Sequence, residues 1–243
     1  MDALRPVTQD PSRAGIFLDV DGTLAPIVER AEDACVPQAT VDALERLSGR
    51  YACVACVSGR AAADARRLVG LDSITYAGSH GAELLLPGED EAEVAPAFAE
   101  WAPRVREFVE SRELGDLRVE QKGAIVALHW RGAEDEEARA REIADEANGF
   151  ITHWGRKVLE IRPPVEVNKG VAVTELIRRH DLRAGLFAGD DVTDLDGFAA
   201  LGALPAAVRV GVRSDEGPAA IVERADVVVD GPEGMADVLA ALA

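Results

Sequence analysis

The segment Gly15-Ile16-Phe17-Leu18-Asp19-Val20-Asp21-Gly22-Thr23-Leu24 places two carboxylates at the end of a short apolar run. Ile16 to Leu18 read as a buried strand, and Gly22-Thr23 as the turn that ends it. A carboxylate pair there costs desolvation and mutual repulsion unless a cation or a reaction needs it. A hard cation such as Mg²⁺ prefers oxygen ligands and would relieve that repulsion. Asp19 is then a candidate nucleophile, with Asp21 two residues on as proton donor and acceptor. A lone Asp-Gly would be accounted for by local turn hydrogen bonds. The whole string in its strand-to-loop context argues for chemistry.

At 243 residues the chain is long enough for one large domain, or for a core carrying a smaller insert. Its 26 Lys and Arg against 44 Asp and Glu leave a net charge of −18. That balance argues against a nonspecific nucleic-acid or anionic-membrane partner, while a few bases in a cleft can still hold an anionic substrate. No apolar run approaches the roughly 20 residues that cross a bilayer. Met1 to Arg13 has no apolar core of the secretory kind, so cytoplasmic residence is the expectation. Cys35, Cys53 and Cys56 make no disulfide framework. Cys53-Val54-Ala55-Cys56 has a redox-like spacing, but on a strand residues three apart face opposite ways. Two inert buried thiols are expected.

Apolar β-like segments alternate with helical patterns at both ends of the chain, which predicts an α/β fold with a Rossmann-like parallel sheet core. Strands are expected over 14–20, 51–57, 74–77, 184–188, 208–212 and 227–229. Helices are expected over 41–47, 61–69, 169–180, 194–201, 219–223 and 235–242. The texture changes in between. A helix over 92–111 would carry Phe98, Trp101, Val105 and Phe108 as its apolar stripe. Strand runs at 117–121 and 124–131, a charged helix at 134–148 and a hairpin over 150–162 complete an αββαββ pattern. This predicts an inserted α+β cap at 82–163, between core segments 1–81 and 164–243.

Four short motifs fall at the ends of core strands or at a helix start, where open α/β sheets form their ligand crevice. Asp19 and Asp21 end the first strand and Ser58 the second. Lys169 opens a helix whose N–H groups favour an anion. Asp190, Asp191 and Asp194 follow the strand 184–188. Several acidic groups could hold one Mg²⁺, while Lys169 and Ser58 offer donors to a dianion, an arrangement suited to phosphoryl transfer. Attack by Asp19 would give an aspartyl-phosphate, with Asp21 protonating the leaving alcohol and then activating water. The four His residues show no metal-ligand spacing.

Alternation within the insert places Ala124, Val126, Leu128 and Trp130 on one strand face and Ile125, Ala127, His129 and Arg131 on the other. Arg118, Glu120 and Lys122 share a polar face, as do Glu160 and Arg162. Such a face suits directed hydrogen bonds to a sugar or polyol. It equally suits the exposed side of an antiparallel sheet, and alternation leaves both open.

The ordered set Asp19-Val20-Asp21-Gly22-Thr23, Ser58, Lys169 and Asp190-Asp191 with Asp194 resembles the four motifs of the haloacid dehalogenase superfamily of phosphatases. That resemblance implies a metal held by Asp19, the backbone carbonyl of Asp21, and Asp190, and an α/β cap over the site. Gly78-Ser79-His80-Gly81-Ala82-Glu83, Glu120-x-Lys122, His129-x-Arg131 and Val158-Leu159-Glu160-Ile161 followed by Asn168-Lys169-Gly170 are similar to trehalose-6-phosphate phosphatases. It implies sugar binding by Glu120, Lys122 and Glu160, with His80 shaping the pocket; the roles of His129 and Arg131 stay open. Trehalose 6-phosphate is the implied substrate. The rivals are another sugar or glycosyl-polyol phosphate such as sucrose phosphate, a noncatalytic sensor, or a phosphomutase. No feature speaks for or against association with a trehalose-6-phosphate synthase.

Overall fold

Ala14–Leu18 is five consecutive buried residues, the signature of a strand covered on both faces by helices. The computed structural model describes residues 2–28, 33–155, 157–214 and 217–243. Its strands are β1 (Ala14–Leu18), β2 (Cys53–Val57), β3 (Thr75–Gly78), β4 (Glu83–Leu85), β5 (Glu93–Val94), β6 (Arg118–Lys122), β7 (Ile125–His129), β8 (Ile151–Gly155), β9 (Val158–Arg162), β10 (Ala184–Gly189), β11 (Ala206–Arg213) and β12 (Val227–Asp230). Its helices are α1 (Arg5–Thr8), α2 (Gln38–Ser48), α3 (Ala62–Val69), α4 (Ala102–Glu110), α5 (Glu137–Glu146), α6 (Lys169–Arg179), α7 (Asp194–Ala200), α8 (Ala219–Arg224) and α9 (Gly231–Leu242).

Eight strands form one sheet in the order β12-β11-β10-β1-β2-β3-β4-β5, parallel from β12 to β3. Leu44 and Leu47 of α2 and Leu239 and Leu242 of α9 pack on one face. Val173 and Leu176 of α6 and Phe198 of α7 pack on the other. Cys56 joins the first layer and Cys53 the second, so the two thiols are buried on opposite faces, as the strand period requires. Burial pushes the Cys53 thiol up to about 12 and raises Cys56 as well, keeping both protonated. No helix among the described residues is long and apolar enough to cross a membrane.

The central position of β1 makes the site. It pairs with β10 and β2 in register, Leu18 opposite Ala188 and Cys56. The Asp19 N–H still reaches the Ala188 carbonyl at 2.9 Å, so the loops after β1, β2 and β10 leave the sheet side by side. β1 stops at Leu18, two residues short of the expected span 14–20, and both carboxylates stand in the loop beyond it.

The insert differs from its expected outline. No helix runs from 92 to 111. Glu93–Val94 is a strand, Pro96–Phe98 a 3₁₀ turn, and α4 begins only at Ala102. Pro96 and Pro103 each sit in the first positions of their helical segments, where a missing N–H costs nothing, and so set two starts instead of one helix. Phe98 consequently packs in the core layer while Val105 packs in the second lobe. The expected boundary at 82 also moves. β4 pairs antiparallel with β3, Ala77 opposite Leu84, and β5 pairs with β4. Positive φ at Ser79, His80 and Gly81 reverses the chain and returns residues 83–94 to the core sheet.

A second, antiparallel sheet has the order β6-β7-β9-β8. Val105 and Val109 of α4 and Ala140 and Ile143 of α5 cover one face through Val126, Leu128, Leu159 and Ile161. Ala124, expected on that face, instead packs with Ile125 and Ala82 in the core layer. The uncovered face carries Glu120, Lys122, His129, Glu160 and Arg162, with Glu120 and Glu160 flanking Ala127 in register.

Candidate active site

Two glycines allow four charged side chains to converge. Gly22 has φ +86°, and a Cβ there would run into the Asp190 carboxylate. Asp190 therefore lies against the turn after β1, where Thr23 Oγ1 donates to its Oδ1 at 3.3 Å. At Gly189 a Cβ would collide with Asp194. Asp194 folds back over that glycine, and its Oδ2 accepts the N–H groups of Asp190 (3.0 Å) and Asp191 (2.9 Å). Its Oδ1 takes Lys169 Nζ at 2.6 Å, and the same Nζ donates to Asp19 Oδ1 at 2.6 Å. Lys169 is the first residue of α6, capped by Asn168, whose side chain accepts the Val171 N–H at 3.0 Å.

All four groups are buried, with Asp194 wholly shielded from solvent. Burial holds Asp19 well above the ordinary carboxylate range; Asp194 and Asp190 push the same way, against Lys169. Burial, then the Asp194 charge, lifts Asp190 to about 6. Burial works against the Lys169 ammonium, but Asp19 and Asp194 outweigh it and its pKa rises. One ammonium thus serves three carboxylates, leaving a surplus of negative charge.

Carboxylate oxygens of Asp19, Asp190 and Asp194 lie within 4.8 Å of one another. An all-oxygen donor set with surplus charge fits a hard divalent cation. The Asp21 and Asp191 carboxylates stand outside this triad: Asp191 is exposed, and Asp21 is held elsewhere. Arg60 Nε and Nη2 grip Asp21 at 2.7 and 2.6 Å, a bidentate pair that raises the guanidinium pKa. Arg60 lines the same cleft as Asp19 and Lys169 and is not among the residues that the sequence motifs single out. Its position two residues after Ser58, at the end of a core strand, was the available signal.

Ser58 is buried, and its Oγ accepts the Arg60 N–H at 3.2 Å. Its N–H donates to Ala77 and its carbonyl accepts from His80, both at 2.9 Å. His80, at φ +57°, lays its ring 2.9 Å from where a Cβ on Gly59 would sit. Burial, then Lys169 and Arg162, lowers its pKa to about 4, so the ring is neutral near pH 7. The loop is pinned by Glu83, whose Oε1 accepts the Ala62 N–H at 2.7 Å and Ser79 Oγ at 3.2 Å.

A cleft of about 580 Å³ opens over these groups. The core contributes Asp19, Asp21, Ser58, Arg60, His80 and Lys169, and the second sheet contributes Glu120 and Lys122. Glu160 stands behind Lys122 at 3.5 Å. Arg131 is exposed and does not line this cleft, whereas His129 lies 2.7 Å from Glu120.

Fold and site together define an α/β protein of the haloacid dehalogenase type. The family profile described as Trehalose-phosphatase matches residues 17–224, and the chain belongs to that family. A trehalose-phosphate phosphatase of Mycobacterium marinum is 36% identical over 219 residues, covering 84% of this chain and 55% of its own length. A Mycobacterium tuberculosis protein named an uncharacterized glycosyl hydrolase is 37% identical over 207 residues, covering 78% of this chain and 15% of its own. The chain thus spans about half, or much less, of the curated relatives it matches. Among solved structures, a trehalose-6-phosphate phosphatase related protein aligns with TM-score 0.65 and 26% identity, over 94% of this chain and 96% of that one.

Proposed function

We propose that this chain is a Mg²⁺-dependent phosphatase that hydrolyses trehalose 6-phosphate to trehalose and phosphate. The observation that carries this reading is the shared cleft, in which buried Asp19, Lys169 and Ser58 face Glu120 and Lys122 of the second sheet. A dianion suits the lysine side, and hydroxyls suit the paired charges opposite.

Asp19 attacks phosphorus, and the bond from phosphorus to the sugar oxygen breaks. Asp21, once released from Arg60 and protonated, gives that proton to the departing oxygen and later takes one from the water that cleaves the aspartyl-phosphate. Lys169 and Ser58 orient the phosphoryl oxygens. Asp19, Asp190 and the backbone carbonyl of Asp21 would hold Mg²⁺, with Asp191 and Asp194 in support. When bound, the ion would supply neutralisation of the carboxylates and of the phosphoryl charge. The lobe from α4 to β9 acts as a cap whose approach excludes water.

Phosphate release across a series of sugar phosphates, with and without Mg²⁺, tests the proposal. Trehalose 6-phosphate should be preferred, turnover should need the metal, and Asp19→Asn should abolish it. Preference for another phosphate by orders of magnitude would overturn the sugar assignment, and full activity of Asp19→Asn would overturn the chemistry.

A further inference from the structure

The uncovered face of the second sheet carries a linear network of five charged or polar side chains. Glu120 and Glu160 occupy the two strands on either side of β7, and the residue between them in register is Ala127. Its methyl leaves the space between the carboxylates open, and the Lys122 ammonium occupies it, 3.7 Å from Glu120 Oε2 and 3.5 Å from Glu160 Oε1. Those contacts are loose, so the ammonium keeps protons for another acceptor. The outer contacts are tight. His129 Nε2 lies 2.7 Å from Glu120 Oε2, and Arg162 donates to Glu160 Oε2 from Nε at 2.9 Å and Nη2 at 2.5 Å. Among the described residues no donor reaches Glu120 Oε1, on the carboxylate that lines the cleft.

We propose that His129 and Arg162 are positioning residues for sugar selectivity, each anchoring one oxygen of a cap carboxylate so that Glu120, Lys122 and Glu160 meet the sugar hydroxyls already aligned. The proposal rests on the sugar-phosphate reading above. A long acidic side chain that is free before binding must lose rotamer freedom on binding, and anchoring removes that cost. Burial lowers the His129 pKa despite the adjacent carboxylate, so near pH 7 a neutral ring donates its Nε2–H to Glu120. Arg162 serves Glu160 as a fixed fork, a geometry that a lysine does not reproduce.

The test compares two substrates in the full-length protein: the sugar phosphate preferred by the wild type, and a small aryl phosphate that offers the cap no hydroxyls. His129→Leu and Arg162→Met should each raise KM for the sugar phosphate about 3- to 30-fold, the worth of one pre-ordered, charge-assisted contact. kcat should change by less than about threefold, and aryl phosphate turnover should stay close to wild type. His129→Gln, which keeps a donor, should recover most of the loss, and Arg162→Lys only part. Equal losses on both substrates, or none on the sugar phosphate, would overturn the proposal. If thermal unfolding shows that His129→Leu does not fold, the Arg162 pair decides by the same criteria. A wild type that hydrolyses the aryl phosphate but no sugar phosphate overturns the functional reading, and the network's role with it. A sugar-selective wild type with unaffected variants overturns the network alone.

Discussion

Replacing Lys169 with Met should destabilise the fold as well as silence the site. The ammonium lies 2.6 Å from both Asp19 and Asp194, with side-chain exposures of 4%, 7% and 0% for the three groups. At an effective dielectric of about 20, each contact is worth on the order of 6 kcal/mol of attraction. Most of that offsets the cost of taking three charges out of water. Methionine matches the length of lysine, so the variant removes the cation while leaving little cavity. The carboxylates then remain buried without a counter-charge, a situation that costs about 3–5 kcal/mol. For a protein of this size that corresponds to a fall in Tm of roughly 6–20 °C. The loss must depend on pH. Without the ammonium, which opposes the effect of burial, the folded-state pKa of Asp19 rises further above its unfolded value. Stability from a raised carboxyl is full below its unfolded pKa and disappears as pH rises through the folded one. The deficit should therefore be largest near pH 7.5 and shrink toward pH 5. Urea unfolding of wild type and Lys169→Met at both pH values measures it. A variant within 1 kcal/mol (about a fivefold change in the folding constant) of wild type at pH 7.5, or an equal deficit at both pH values, would refute the reasoning.

Three further outcomes follow from the site and the loop beside it. Asp190, raised to about 6, contributes stability that is complete below about pH 4 and lost as pH climbs through 6, so Asp190→Asn should gain on the wild type by up to about 3 kcal/mol between pH 4 and 7.5. Mg²⁺ should stabilise the wild type progressively over that interval, by about 2.7 kcal/mol at a hundredfold excess over Kd; an equal cation effect at pH 5 and 7.5 in urea titrations would contradict this. Glu83→Leu strands the Ala62 N–H and Ser79 Oγ in a buried setting, which should cost about 2–4 kcal/mol, or about 4–16 °C in Tm. Glu83→Gln keeps an acceptor and should cost less, and a thermal scan in which the two variants melt alike would argue against this clamp.

The motif residues were legible because their chemistry is local. Asp19 and Asp21 follow an apolar run, Ser58 ends the next, and Asp190 to Asp194 follow another, so the parallel-sheet rule alone brought them to one crevice. Arg60 was not singled out, because an arginine after Ser-Gly looks like any solvated side chain until Asp21 is found between its donors. Alternation also could not decide whether the polar face of the second sheet meets water or ligand. The same Glu120, Lys122 and Glu160 satisfy either until the lobe's placement over the core is known. The 92–111 stretch misled for a related reason: its apolar spacing is helical, but Phe98 and Val105 belong to different cores.

Order along the chain therefore settled the parallel core, the burial of Cys53 and Cys56 on opposite faces, and the carboxylates gathered at the strand ends. Those features depend on strand period and on the desolvation of short-range charge, both readable from neighbours in sequence. Tertiary structure alone decided which carboxylates share Lys169, that Arg60 holds Asp21, and that Glu120 overlooks the same cleft as Asp19. Each of these contacts joins residues 25 to 150 positions apart, or sets one sheet over another. Their energies depend on distance and burial in three dimensions, which spacing along the chain does not encode.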